Sequence, residues 1–202
     1  MIDKLLREPK EVALTPIALT LPRTIQPLTL TLAALGVGLA AAAAIWQQAY
    51  GLGLALWAVN RVLDGLDGTL ARVQRRQSDL GGYIDILADT AIYALIPAAL
   101  VLGRPSTAGW VSLVALLSSF YLNGASWMYL AALLEKRGQG GQVSGELTTI
   151  TMPSGLIEGA ETVLFYTLFL LLPHAAVALF WAMALLVVVT IGQRLVWARR
   201  HL

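Results

Sequence analysis

Between Asp64 and Asp89 the sequence reads DGLDGTLARVQRRQSDLGGYIDILAD. Asp64 and Asp67 are three apart, and Asp85 and Asp89 are four apart. On a helix either spacing puts both carboxylates on one face, about one turn apart. Apolar runs flank the stretch on both sides, and carboxylates at a membrane surface mark a functional site because they are costly to hold there. A hard divalent cation with oxygen ligands relieves their mutual repulsion directly. Two facing carboxylate pairs suit one or two such ions, Mg2+ or Mn2+, a common device for displacement at phosphorus. Gly68, Ala71, Gly81 and Gly82 lie among the acids, and glycine lets a ligand or backbone come close. Arg72 adds a cation whose fork suits phosphate. Acids, small residues and an arginine together point to a metal-bound diphosphate.

The elements that must position these groups are membrane helices. Of the 202 residues 57% are hydrophobic and 13% charged, and the mean hydropathy is +0.71. A soluble domain carries about 25% charged residues, so the balance decides for an all-α integral membrane protein. The absence of cysteine means that the fold needs no disulfide. No cleavable signal peptide is read in the first 23 residues, where acids and bases are spread throughout.

The division expected is a cytoplasmic or interfacial segment over 1–23 and a six-span domain over 24–202. In the first segment the apolar spacing suits a short helix lying on the membrane surface. Pro9 is expected to interrupt it, and Pro16 and Pro22 to break the rest of the segment. A flexible tail is the other reading. Spans are expected at about 24–45, 52–72, 81–102, 108–134, 156–172 and 175–197. The Ala-rich part of the first, Ala40 to Ala44, suits close packing against a neighbour. The segment 135–155 is polar and glycine-rich and reads as a loop. With both termini inside, the inner segments hold Lys4, Arg7, Lys10, Arg23, Arg72, Arg75, Arg76, Lys136, Arg137, Arg199 and Arg200, and the outer turns only Arg104. That asymmetry obeys the positive-inside rule and puts both aspartate pairs at the cytoplasmic face.

Asp64-x-x-Asp67-Gly68-x-x-Ala71-Arg72, then Gly81-x-x-x-Asp85-x-x-x-Asp89 after eight residues, resembles the signature of the CDP-alcohol phosphotransferase family. The family's six-span architecture is similar to the span count above. The resemblance implies attack of a hydroxyl on a cytidine-diphosphate-linked alcohol, usually CDP-diacylglycerol, with release of CMP. It implies Asp64, Asp67 and Asp85 as metal ligands and Asp89 as both a ligand and the general base. It implies Gly68, Ala71, Arg72 and Gly81 as contacts of the nucleotide diphosphate. It also implies homodimers, which the small-residue helix faces would permit. No nucleic-acid partner is expected.

Outside the signature the residues are less specific. Glu158 and Glu161 share a face at the start of the fifth span and read either as acceptor contacts or as acids complementing a helix dipole. Lys136, Arg137 and Arg194 are candidates for an anion site on the acceptor side. Arg194 resembles an arginine near the end of the last span in inositol-phosphate-using members; it reads equally as a cation snorkelling to headgroups. Members with phosphorylated acceptors offer extra basic residues around the fifth span, which has none here. An arrangement of structural ion pairs, with the aspartates bound to Arg61, Arg72, Arg75 and Arg76, is the bland alternative for the whole stretch.

Three functions are weighed. The first is transfer of a phosphatidyl group from CDP-diacylglycerol to a small polar alcohol. The second is transfer of phosphocholine or phosphoethanolamine from a CDP-amino-alcohol to diacylglycerol. The third is a divalent-cation transporter, but a transport path needs polar groups at several depths, and the outer half of this chain is almost uncharged.

Overall fold

The computed structural model describes residues 2–138 and 155–202. Among them are seven α-helices and no strand. They are α1 (Ile2–Thr20), α2 (Pro27–Trp46), α3 (Tyr50–Gln74), α4 (Asp79–Gly103), α5 (Thr107–Lys136), α6 (Gly159–Leu171) and α7 (Ala176–His201). A 3-10 turn, Pro173–Ala175, leads into α7.

Helices α2, α4, α5 and α7, the last with its leading turn, are long and apolar enough to cross a membrane. The two other expected spans fall outside that measure for different reasons. Helix α3 has 25 residues but carries Arg61 near its middle and Asp64, Asp67 and Arg72 in its second half. Helix α6 has only 13 residues, about 20 Å of rise, against a hydrocarbon core of about 30 Å. Most of the expected loop at 135–155 lies outside the described residues; α5 itself runs on to Lys136.

Helix α1 departs from the expected interruptions. It continues through both Pro9 and Pro16, which are exposed. They lie seven apart and so share one face. The backbone bonds that they cannot make open outward, where polar surroundings can satisfy the freed carbonyls. The opposite face is anchored: Ala18 clusters with Leu66 and Leu70 of α3, with Leu14, Leu21 and Val73 packed around them.

The α3–α4 connection is built by capping. Arg75 takes the left-handed conformation (φ 54°), Arg76 N–H bonds back to Ala71 O at 2.9 Å and Arg75 N–H to Arg72 O at 3.1 Å, a helix stop of the Schellman type. Ser78 then caps α4, its Oγ accepting from Gly81 N–H at 3.1 Å. A Cβ on Gly81 would sit 3.0 Å from that hydroxyl, so the tight entry into α4 favours glycine. This turn puts the C-terminal part of α3 beside the N-terminal part of α4.

Helix α2 packs along both α3 and α4, and α5 pairs with α7. The contact is close where α2 crosses: a Cβ on Gly38 would lie 2.5 Å from Ile92 Cδ1 and 3.0 Å from Asn60 Nδ2. Ala34, Ala41 and Ala44 are buried on the same helix. The main core is a column that includes Trp57, Ile92, Ile96, Tyr166, Phe169, Phe180 and Met183. Large apolar side chains such as Leu32, Leu39, Val62, Leu95, Val114 and Leu185 face outward, as expected of helices in lipid.

Candidate active site

Members of both aspartate pairs come near one another beside the α3–α4 turn. Asp64, Asp85 and Asp89 line one small void together with Thr31, Asn60 and Arg61. Its volume is about 10 Å³, close to the space of a single water. Asp67 is 5% exposed, and its Oδ2 accepts a hydrogen bond of 2.6 Å from Thr31 Oγ1 of α2.

Beside this acidic point lies a cavity of about 720 Å³. Asp67, Gly68, Ala71 and Arg72 from α3 line it, with Gly81 and Asp85 from α4. Gln26, Pro27, Leu28 and Thr31, at the start of α2, close another side. A cavity of several hundred Å³ with a few convergent polar groups is the usual form of a small-molecule site. Asp79, outside the signature, lines it too. Arg72 Nη2 donates to Glu11 Oε1 at 2.5 Å and to Thr69 Oγ1 at 3.2 Å. Its Nε is buried with no hydrogen-bond partner among the described residues, a donor that a phosphate oxygen would satisfy.

Spacing alone undervalues Arg61. Its Nη2 donates to Asp89 Oδ1 at 2.7 Å, and its Nη1 lies 3.6 Å from Asp64 Oδ2. Nη1 also donates to Tyr93 OH at 2.9 Å, and Nε to Asn60 Oδ1 at 2.8 Å. Asn60 in turn donates from Nδ2 to Ala34 O of α2 at 2.7 Å. The guanidinium stands over the rings of Trp57 and Tyr93, 4.7 and 5.2 Å from their centroids. One element of the bland ion-pair reading is therefore present: Arg61 engages two of the four aspartates. Its signal in the sequence is its place three residues before Asp64.

The donor set, four carboxylates with hard oxygens around one end of two helices, fits Mg2+ or Mn2+. Among the described residues no three acidic or histidine side chains are drawn together as a closed ligand set. Arg61 holds Asp89 and approaches Asp64, and mutual repulsion keeps carboxylates apart.

None of the residues considered for the acceptor lines the large cavity or the small void. Glu158 and Glu161 make a capping box at the start of α6; Glu158 N–H donates to Glu161 Oε2 at 3.2 Å, and Gly155 N–H to Glu158 Oε1 at 2.9 Å. Their helix-start role is thus visible. Arg194 is buried, and its Nη1 donates to Asn123 Oδ1 of α5 at 2.5 Å. Burial does not match a cation reaching out to headgroups. Lys136 and Arg137 are exposed at the end of α5, with Arg137 Nη1 donating to Leu202 O at 2.7 Å.

Residues 19–192 match the CDP-alcohol phosphatidyltransferase family. The chain is 36% identical over 153 residues to the inner membrane protein YnjF of Escherichia coli (strain K12), covering 74% of this chain and 71% of that protein. A shorter match, 41% identical over 66 residues, falls on the bifunctional IPC transferase and DIPP synthase of Thermococcus kodakarensis; it covers 32% of this chain and 15% of that one. Among solved structures, Mycobacterium tuberculosis phosphatidylinositol phosphate synthase (PgsA1) with CDP-DAG bound superposes with a TM-score of 0.66 at 20% identity, covering 91% of this chain and 92% of that chain. The same enzyme in complex with manganese and citrate gives a TM-score of 0.65 at 20% identity, covering 91% of this chain and 88% of that one. The chain belongs to the CDP-alcohol phosphatidyltransferase family. It is an integral membrane enzyme that transfers a substituted phosphate group, so the transporter reading falls.

Proposed function

We propose that the chain transfers a phosphatidyl group from CDP-diacylglycerol to the hydroxyl of a small polar alcohol, releasing CMP, at the cytoplasmic face of a six-span membrane domain. The observation that carries this reading is the cavity beside the aspartates. It brings Asp67, Gly68, Ala71, Arg72, Gly81 and Asp85 around one space, which fits a nucleotide diphosphate set against an acidic metal site. The span count takes α3 as the second span: its 25 residues rise about 37 Å, long enough to cross with its charged end at the surface. Helix α6 is then the short fifth span. The cytoplasmic placement rests on the clustering of Lys and Arg at that end, and the division at residues 23 and 24 on the start of the first apolar run.

Asp64, Asp67, Asp85 and Asp89 would hold Mg2+ or Mn2+, which supplies positive charge for the diphosphate oxygens. Gly68 and Ala71 let the diphosphate approach α3 closely, and Arg72 offers its fork to a phosphate oxygen. Asp89 takes the proton of the acceptor hydroxyl. That oxygen bonds to the phosphorus carrying the diacylglycerol. The bond from this phosphorus to the bridging oxygen breaks, and its electron pair leaves with CMP. The acceptor's polar end is assigned to Arg194, the buried cation of α7, and to Glu158 and Glu161 at the start of α6, with Lys136 and Arg137 at the exposed end of α5 as further candidates. A homodimer is the expected assembly.

The test is product analysis. Purified protein is given CDP-diacylglycerol, Mg2+ or Mn2+, and in turn glycerol 3-phosphate, inositol, inositol phosphate, serine or ethanolamine. A lipid with the mass of the phosphatidyl group plus one of these alcohols supports the reading. Products only from a CDP-amino-alcohol with diacylglycerol would replace it.

A further inference from the structure

Arg61 lies inside the acidic constellation, 12% exposed at its side chain, in a setting fixed on every side. Asn60 holds Nε, Tyr93 OH holds Nη1, and Asp89 holds Nη2, while Trp57 and Tyr93 present their ring faces to the charge. The rings are themselves locked. Tyr166 OH donates to the Tyr93 carbonyl, Tyr166 stacks on Trp57 at 5.4 Å, and Trp57 Nε1 donates to Thr167 Oγ1 at 3.3 Å. A guanidinium with its rotamers and donors fixed in this way is a pre-organised cation rather than an adaptable surface charge. Asn60 carries the same network to the α2 backbone at Ala34.

We propose that Arg61 is a positioning residue for the transfer, a resident cation that fixes the carboxylate of Asp89 and balances the charge of the four aspartates. The proposal rests on the phosphotransfer reading above. The bond to Oδ1 sets the rotation of the Asp89 carboxylate, and with it the direction in which Oδ2 meets the acceptor's hydroxyl proton. Arg61 also opposes entry of a second positive charge. The site therefore binds its divalent cation less tightly than four bare carboxylates would, and in a more definite geometry. A merely structural Arg61 would hold α3 to α4 and nothing more.

The two roles separate in purified Arg61→Gln, Arg61→Lys and Tyr93→Phe proteins, with Mn2+ binding measured by electron paramagnetic resonance and CMP release by steady-state kinetics. Arg61→Gln is expected to lower kcat about 100-fold with the KM for CDP-diacylglycerol within about threefold. It is expected to bind Mn2+ at least about fivefold more tightly, because an opposing charge has gone. Arg61→Lys keeps the charge but not the fork: Mn2+ affinity stays within about twofold of wild type, and kcat falls about tenfold. Tyr93→Phe removes one acceptor from the guanidinium and lowers kcat about threefold, with Mn2+ affinity unchanged. A folded Arg61→Gln protein with wild-type kcat overturns the proposal, as does one whose Mn2+ affinity is weaker. If Arg61→Gln does not fold, wild-type kcat in both other variants overturns it, and the stated losses support it. If the wild-type protein itself releases no CMP from any donor, the phosphotransfer reading fails. The Mn2+ comparison then decides Arg61 alone, with tighter binding in Arg61→Gln or, failing that, unchanged binding in Arg61→Lys as the supporting result and any weakening as the overturning one.

Discussion

Arg72 Nη2 and Glu11 Oε1 form an ion pair of 2.5 Å that ties α1 to the helix carrying the first aspartate pair. Arg72 lines the large cavity, so Glu11 holds the same guanidinium that is proposed to meet the diphosphate. Glu11→Gln removes the competing charge while leaving the side-chain volume. The expected result is a fall of about threefold in the KM for CDP-diacylglycerol with little change in kcat, since the pair is partly exposed and worth about 1 kcal/mol or less. A rise in KM would mean that Glu11 orients Arg72 for the substrate.

Asp67 accepts from Thr31 Oγ1 at 2.6 Å, in a place where both partners are buried. Thr31→Val keeps the shape and deletes the donor. Hydrogen bonds to charged groups are worth about 1.5–3 kcal/mol, so the melting temperature in detergent is expected to drop and CMP release to fall about tenfold. An unchanged melt with unchanged turnover would show that Asp67 does not depend on α2.

Gly38 of α2 packs against Ile92 of α4 and Asn60 of α3. At Gly38 even a methyl group meets Ile92 and Asn60. Gly38→Ala is expected to destabilise by about 1–3 kcal/mol through overpacking, whereas Gly36→Ala, whose added methyl meets nothing within 4 Å, is expected to stabilise by up to about 1 kcal/mol. Thermal unfolding of the two proteins side by side measures the difference.

Chelation should separate fold from chemistry. With EDTA, CMP release is expected to stop and to return on adding Mg2+ or Mn2+, while far-ultraviolet circular dichroism stays helical throughout. The core column of Trp57, Tyr166, Phe169 and Phe180 does not include the aspartates, so the helices do not need the ion to pack. Loss of helicity on chelation would contradict this separation.

The parts of this molecule that are legible in the sequence are those set by local spacing. The i,i+3 and i,i+4 aspartates, the apolar runs and the glycines at the turn fix two carboxylate pairs at one end of two adjacent helices. The helices expected at 24–45 and 52–72 run Pro27–Trp46 and Tyr50–Gln74. Spacing cannot show partners brought in from afar. Arg61 meets Asp89 across 28 positions, Thr31 meets Asp67 across 36, and Arg72 meets Glu11 across 61. Helix α1 departs from expectation for a related reason. A proline counts as a break when judged locally, but Pro9 and Pro16 face outward while Ala18 is packed against α3, and tertiary packing outweighs two missing bonds. Glu158 and Glu161 illustrate the converse: their spacing alone leaves open a capping box that the backbone then displays.

The most direct test is acceptor-dependent CMP release from CDP-diacylglycerol by wild-type protein and by Asp89→Asn, each with its Mn2+ affinity measured. The predicted result is turnover with one alcohol of the panel and a loss of about 10²–10⁴-fold in Asp89→Asn, the range for removing a general base, with Mn2+ still bound. Equal rates in the two proteins, or CMP release that does not depend on any alcohol, would contradict Asp89 as the base of a phosphatidyl transfer.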